Sequence, residues 1–175
     1  MKKKMMRKLR GFVREESGSE LVEFTMSAAA LMFILLVLIE TMWAVYAYHF
    51  TTYAAQQGAR FAMVRGYTWS HYVSEPCSTT YPGFTMPYSC TASQSDVQNY
   101  VDSLATGGIN PSKITVTANW TGTAVDGSGP TTCGTTNNQA GCLVQVKVAY
   151  TFNYLPFLTS SGLNLSATSE KVILQ

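Results

Sequence analysis

Two sets of residues in this 175-residue chain have types and spacings that could do chemistry. The first is Gly18-Ser19-Glu20-Leu21-Val22-Glu23-Phe24, which lies between a basic amino terminus and an uncharged apolar run from Phe24 to Ile39. Gly18 and Ser19 read as a processing site, because a glycine offers no side chain to a narrow peptidase. The basic and apolar regions come in the order of a secretory signal, but the cleavage site of such a signal follows the apolar part, whereas Gly18 precedes it. Glu23 is kept at the hydrocarbon edge, where a carboxylate costs up to about 2 to 3 kcal/mol and calls for a cationic partner. Cutting after Gly18 would supply one, since the new α-amino group on Ser19 lies about 6 Å along a helix from Glu23. Ser17-x-x-Glu20 also has capping-box spacing and could start a helix here. The second set is Cys77, Cys90, Cys133 and Cys142, all beyond the apolar run. Neither close pair has Cys-x-x-Cys spacing and the two histidines, His49 and His71, lie elsewhere, so disulfides are expected rather than a metal site. Four cysteines allow three pairings, and spacing does not choose among them.

The elements that position these residues follow from charge and periodicity. Residues 1–18 carry seven bases and two acids, whereas residues 19–175 carry five bases and eight acids, so the net charge of +2 sums two unlike parts. The basic flank marks the side that stays inside, and the carboxy-terminal part is expected to be exported. The oxidising context implied by an even number of cysteines agrees with that orientation. Phe24 to Ile39 covers only about 24 Å of helix, short of a roughly 30 Å hydrocarbon core, so the span is expected to reach about Ala47. Trp43, Tyr46, Tyr48, Phe50 and Tyr53 would then form an aromatic belt at the outer headgroups. No proline interrupts the chain up to Arg65, and one helix is expected from about Ser19 to Val64. Its later part carries small residues at four-residue spacing: Ala47, Thr51, Ala55 and Ala59 in one row, with Ala54, Gly58 and Ala62 in a second. Such rows let another helix, or the chain's own domain, approach closely.

Beyond Gly66 the chain is long enough for one small domain. A Tyr/Pro/Ser/Thr-rich stretch around Cys77 and Cys90 reads as a loop. A short helix is expected over 96–105, capped by Ser95, with Val97, Tyr100, Val101 and Leu104 on its apolar face and Gly107-Gly108 ending it. Alternation over Ile114–Trp120 and Val144–Phe152 predicts two half-buried strands, and Leu163–Leu174 a third. Gly122–Gly141 reads as a Gly/Thr/Asn-rich loop holding Cys133, and Leu155-Pro156-Phe157-Leu158 as a break between strands. The expected fold class is α+β, pilin-like: a long membrane helix (residues 19–65) after a basic leader (1–18), continuing into a disulfide-containing domain (66–175) with a short helix and a three-stranded antiparallel sheet.

These residues resemble the TadE/TadG-like minor pilins, or pseudopilins, of the tight-adherence (Tad/Flp, type IVc) pilus system. Gly18 to Phe24 is similar to the family's Gly-x-x-x-x-Glu-[Phe/Tyr] leader, Gln57 to Ala62 to its Gly-Ala-Arg segment, and the terminal strands with the Pro-Phe-Leu loop to its carboxy-terminal part. The resemblance implies that a membrane-embedded prepilin peptidase cuts after Gly18 and leaves Ser19 first, with Glu23 and Phe24 setting register in assembly. It implies other pilin or pseudopilin subunits, the assembly platform and membrane lipid as partners. The implied place is the bacterial inner membrane, single-pass, with the amino terminus inside and the carboxy-terminal domain exported, and a surface pilus is the second place the resemblance implies. The implied role is assembly of a fibre used in attachment and biofilm formation. An anchored binding module that never enters a fibre is the alternative. The sequence has no Walker-type loop, no Gly-x-Ser-x-Gly elbow and no His-Glu-x-x-His, and Asp96, Asp102 and Asp126 are dispersed. No enzyme activity, cofactor, nucleic acid or small-molecule substrate is therefore expected.

Overall fold

A computed structural model describes residues 16–67, 80–81, 84–85, 87–126, 129–135, 137–154 and 162–174. The leader bases through Arg14, His71, Cys77 and Leu155–Leu158 lie outside the described residues. The chain forms two compact units, residues 1–43 and 44–175. They divide inside the long helix rather than at its end, because the helix's later part is built into the core of the second unit.

Helix α1 runs Glu16–Met63, 48 residues without a proline. Its described part begins three residues before the expected Ser19. Its last turn tightens, with the Val64 N–H donating to the Arg60 carbonyl at 3.3 Å and the Arg65 N–H to the Ala62 carbonyl at 3.4 Å, before Gly66.

In the second unit a ten-residue helix, α2 (Gln94–Ser103), precedes a 3₁₀ turn (Pro111–Lys113) and strand β3 (Ile114–Thr121). Two short hairpins flank this core: β1 (Thr80–Tyr81) with β2 (Phe84–Thr85), and β4 (Thr123–Asp126) with β5 (Gly129–Thr132). The second hairpin lies within the Gly/Thr/Asn-rich Gly122–Gly141 stretch, where no strand was expected. Strands β6 (Leu143–Phe152) and β7 (Leu163–Val172) complete an antiparallel sheet in the order β3-β6-β7. Register pairs Val116 with Val148 and Val146 with Ser169. Alternation has the expected phase, since Ile114, Val116, Ala118 and Trp120 of β3 and Val144, Val146, Val148 and Tyr150 of β6 are all buried.

The cap of α2 is Ser93 rather than Ser95. Ser93 Oγ accepts from the Asp96 N–H at 3.2 Å, and Asp96 Oδ2 accepts from the Ser93 N–H at 3.1 Å, a reciprocal box that needs an acid three residues after the cap. Val97 and Val101 are buried, with Tyr100 and Leu104 packed partly buried beside them. Gln98 closes the free edge of β3: its Oε1 accepts from the Val116 N–H at 2.9 Å and its Nε2 donates to the Ile114 carbonyl at 3.5 Å.

Candidate functional site

The amino-terminal part of α1 presents its apolar side chains outward. Leu21, Val22, Phe24, Met26, Leu31, Met32, Phe33, Ile34, Leu35, Leu38 and Ile39 are all exposed, Phe24 by 72%. No residue of the most apolar 18-residue window is buried. A soluble protein does not leave a surface this large and contiguous in water, and the helix is long and apolar enough to cross a bilayer. Two threonine hydroxyls within it are satisfied by the helix itself, as hydrocarbon requires: Thr25 Oγ1 donates to the Val22 carbonyl at 2.9 Å and Thr41 Oγ1 to the Leu38 carbonyl at 2.8 Å. The helix thus fits a single-pass membrane anchor.

Gly18 and Ser19 lie within α1 and are exposed. A Cβ built on Gly18 meets nothing within 4 Å, so packing inside this chain is not the reason for a glycine here. Glu20 and Glu23 are exposed on the same helix, and no described residue makes an ion pair with Glu23.

The small-residue rows have a different environment. Ala47, Thr51, Ala54, Ala55, Ala59 and Ala62 are at most 1% exposed, and Gly58 is buried among them. A Cβ on Gly58 would stand 3.2 Å from Val101 Cγ2, 3.2 Å from Val146 Cγ1 and 3.4 Å from Val97 Cγ1. Both rows thus pack on α2 and the sheet of the same chain, and none of these residues is open to a second helix. Phe50 belongs to the same buried stripe, three residues after Ala47 and four before Ala54, and so does not sit in an aromatic belt. Tyr48 and Tyr53 remain about half exposed, while the Tyr46 hydroxyl donates to the Thr106 carbonyl at 3.3 Å. Gly107, with φ +60°, lies against that hydroxyl, where a Cβ would be 3.0 Å from it.

Cys133 and Cys142 form a disulfide, with their Cα atoms 5.7 Å apart. Cys90 is also disulfide-bonded. Among the described residues there is no free cysteine and no group of His, Cys, Asp and Glu arranged to hold a metal. His49 is exposed on α1, edge-on to Tyr48 at 6.2 Å.

Asp96, expected as a solvated or capping group, is part of the cap of α2, and other residues that organise the second unit escaped the sequence reading. Burial pushes the Asp96 carboxyl up, but hydrogen bonds from the Ser93 hydroxyl (2.6 Å) and from the Ser93 and Ser89 N–H groups outweigh it and hold the group below its ordinary 3.8. The Ser93-x-x-Asp96 spacing could have revealed this. Arg65 lies over the rings of Phe61 (4.5 Å) and Tyr88 (5.4 Å) and donates to the Ser89 carbonyl at 3.2 Å. Phe61 stacks on Tyr100 at 4.5 Å. Asn138, fully buried, had no sequence signal at all.

Residues 18–60 match the family described as TadE-like protein. Over these residues, which lie in its amino-terminal helix, the chain is similar to TadE-like proteins. The match opens on Gly18, takes in Glu23 and Phe24, and closes on Arg60 of the Gly58-Ala59-Arg60 segment, so α2 and the three-stranded sheet lie beyond it. No curated protein and no solved structure matches the chain. That similarity points to involvement in the Tad pilus system, of which TadE-like pilins are structural components.

Proposed function

We propose that this chain is a prepilin-like minor pilin of a Tad-type pilus. It is cut after Gly18 by a prepilin peptidase, held in the bacterial inner membrane by α1 with the sheet domain exported, and drawn into fibre assembly for surface attachment. The observation that carries this reading is Glu23: an exposed carboxylate on a helix whose next sixteen residues are uncharged, five residues after the glycine that opens the TadE-like match. An anchor alone gains nothing from that carboxylate, which opposes membrane insertion. A subunit that must find axial register gains an ion pair with a neighbour's Ser19 amine in a low-dielectric bundle. Phe24, fully outward beside it, would pack against the same neighbour. Other pilin subunits and the assembly platform are the partners this mechanism requires. Because the rows from Ala47 to Ala62 are occupied by the chain's own domain, subunit contacts are assigned to the exposed portion of α1 before Ala44.

The test is Glu23→Ala expressed at wild-type level as the only copy in the cell. Membrane insertion should be unchanged or improved while surface pili and attachment are lost. Normal piliation with Glu23→Ala would reject the register mechanism and favour an anchored binding module. The amino-terminal residue of protein recovered from cells should be Ser19; an intact Met1, with the peptidase present, would remove the processing step.

A further inference from the structure

The Cys133–Cys142 loop receives hydrogen bonds from chain segments far apart in sequence. At its centre, the Asn138 carbonyl accepts from the Tyr67 N–H at 3.1 Å, just beyond α1. The Asn138 side chain donates from Nδ2 to the Ala92 carbonyl at 3.3 Å, just before α2. The Ala92 N–H in turn donates to the Arg65 carbonyl at 2.9 Å. At the closing end, the Gly141 N–H donates to the Ile173 carbonyl at 2.9 Å and the Ile173 N–H to the Cys142 carbonyl at 2.8 Å, which fixes the residue that follows β7. At the opening end, the Cys133 N–H donates to the Gly122 carbonyl at 3.1 Å, just past β3. Cys142, Asn138 and Ile173 are at most 1% exposed, so these contacts are interior ones.

We propose that the Cys133–Cys142 bond is a redox-operated clasp at this end of the domain. When closed it holds the segment after α1, the approach to α2 and the carboxy-terminal end of β7 on one loop, and reduction releases all three while the sheet stays folded. The loop between the cysteines is Gly, Thr, Asn, Gln and Ala, with no large apolar side chain to order it without the cross-link. The sheet keeps ladders of its own, β3 on β6 and β6 on β7, while its core valines Val116, Val144, Val146 and Val148 share one buried cluster with Cys133 and Cys142. A dithiol can operate the clasp. One of its thiolates attacks one cysteine sulfur, breaking the S–S bond and expelling the other sulfur as thiolate; its second thiol then resolves the mixed disulfide. Two electrons and two protons pass to the protein, Cys133 and Cys142 end as thiols, and the reductant leaves as its own cyclic disulfide. In an oxidising compartment the clasp is closed, so closure of this end marks a chain that has reached one. The inference uses only residues 65–174 and stands apart from the role of Glu23.

The test is residue-resolved amide exchange on the full chain in lipid nanodiscs, comparing wild type with the Cys133→Ser/Cys142→Ser double variant, which leaves the Cys90 disulfide in place. Exchange at Tyr67, Gly141 and Ile173 should accelerate about tenfold or more, while Val146 and Val148 stay within about twofold of wild type. Unchanged protection at Tyr67, Gly141 and Ile173 would overturn the proposal. Deprotection of Val146 and Val148 together with them would do so too, because the bond would then stabilise the whole domain. Should the double variant not fold, the same amides are followed in wild-type protein during dithiol reduction, with alkylation identifying the molecules opened at Cys133 and Cys142. The same two outcomes decide it there.

Discussion

Replacing Gly58 by leucine is the sharpest probe of how α1 is used. Wild-type Gly58 faces Val97 and Val101 of α2 and Val146 of β6, and a Cβ alone would already stand 3.2 Å from two of those side chains. All three neighbours are β-branched, stiff at χ1, and cannot swing aside cheaply. Leucine adds three further carbons where there is no room, an overpacking cost of about 3 kcal/mol at the upper end of the usual range. Its better helix propensity returns about 1 kcal/mol, leaving a net loss of about 2 kcal/mol. For a domain of this size that corresponds to a fall in Tm of roughly 5 to 10 °C. Alanine at the same position sets a similar propensity gain of about 1 kcal/mol against a milder clash and should come out within about 0.5 kcal/mol of wild type. The assay is thermal unfolding of the full chain in detergent, read by near-ultraviolet circular dichroism, beside a cross-linking measure of self-association. Wild-type melting with Gly58→Leu would refute the reasoning, since α1 could then not approach α2 and β6 so closely. Unchanged melting with lost self-association would return the small-residue rows to an intermolecular contact.

Gly18→Asp should stop processing, and Gly18→Ala should slow it, both read as the ratio of precursor to mature chain on a gel; efficient cutting of Gly18→Asp would place the processing site elsewhere. Asp96 is held below its ordinary carboxyl value in the folded state, so the stability it contributes is full above the unfolded value, about pH 4, and is lost as pH falls through the folded one. Asp96→Asn should therefore cost about 1 to 2 kcal/mol at neutral pH, with the gap to wild type narrowing below about pH 4, as measured by denaturant unfolding. Gln98→Ala should cost about 1 kcal/mol and speed exchange at the Val116 amide, because that N–H loses the acceptor that closes the edge of β3.

Much of this architecture could be read from residue order because the forces involved are local. Burial on one face imposes a two-residue period on β3 and β6, and an uncharged run without proline imposes a helix, whatever the rest of the chain does. The proposed processing signature is local in the same sense, since Gly18, Ser19, Glu23 and Phe24 are defined by spacing along one helix. Where the sequence misled, the deciding partner was distant. Phe50 looks like an interfacial aromatic until its stripe on α1 meets the sheet. The small-residue rows are the clearest instance: four-residue spacing specifies that something approaches α1 closely, but a backbone-hugging contact looks the same in sequence whether it comes from a neighbouring helix or from Val97, Val101 and Val146. Only the folded chain decides that, because occupancy of a surface depends on where residues far away in sequence come to rest, and here they come to rest on Gly58.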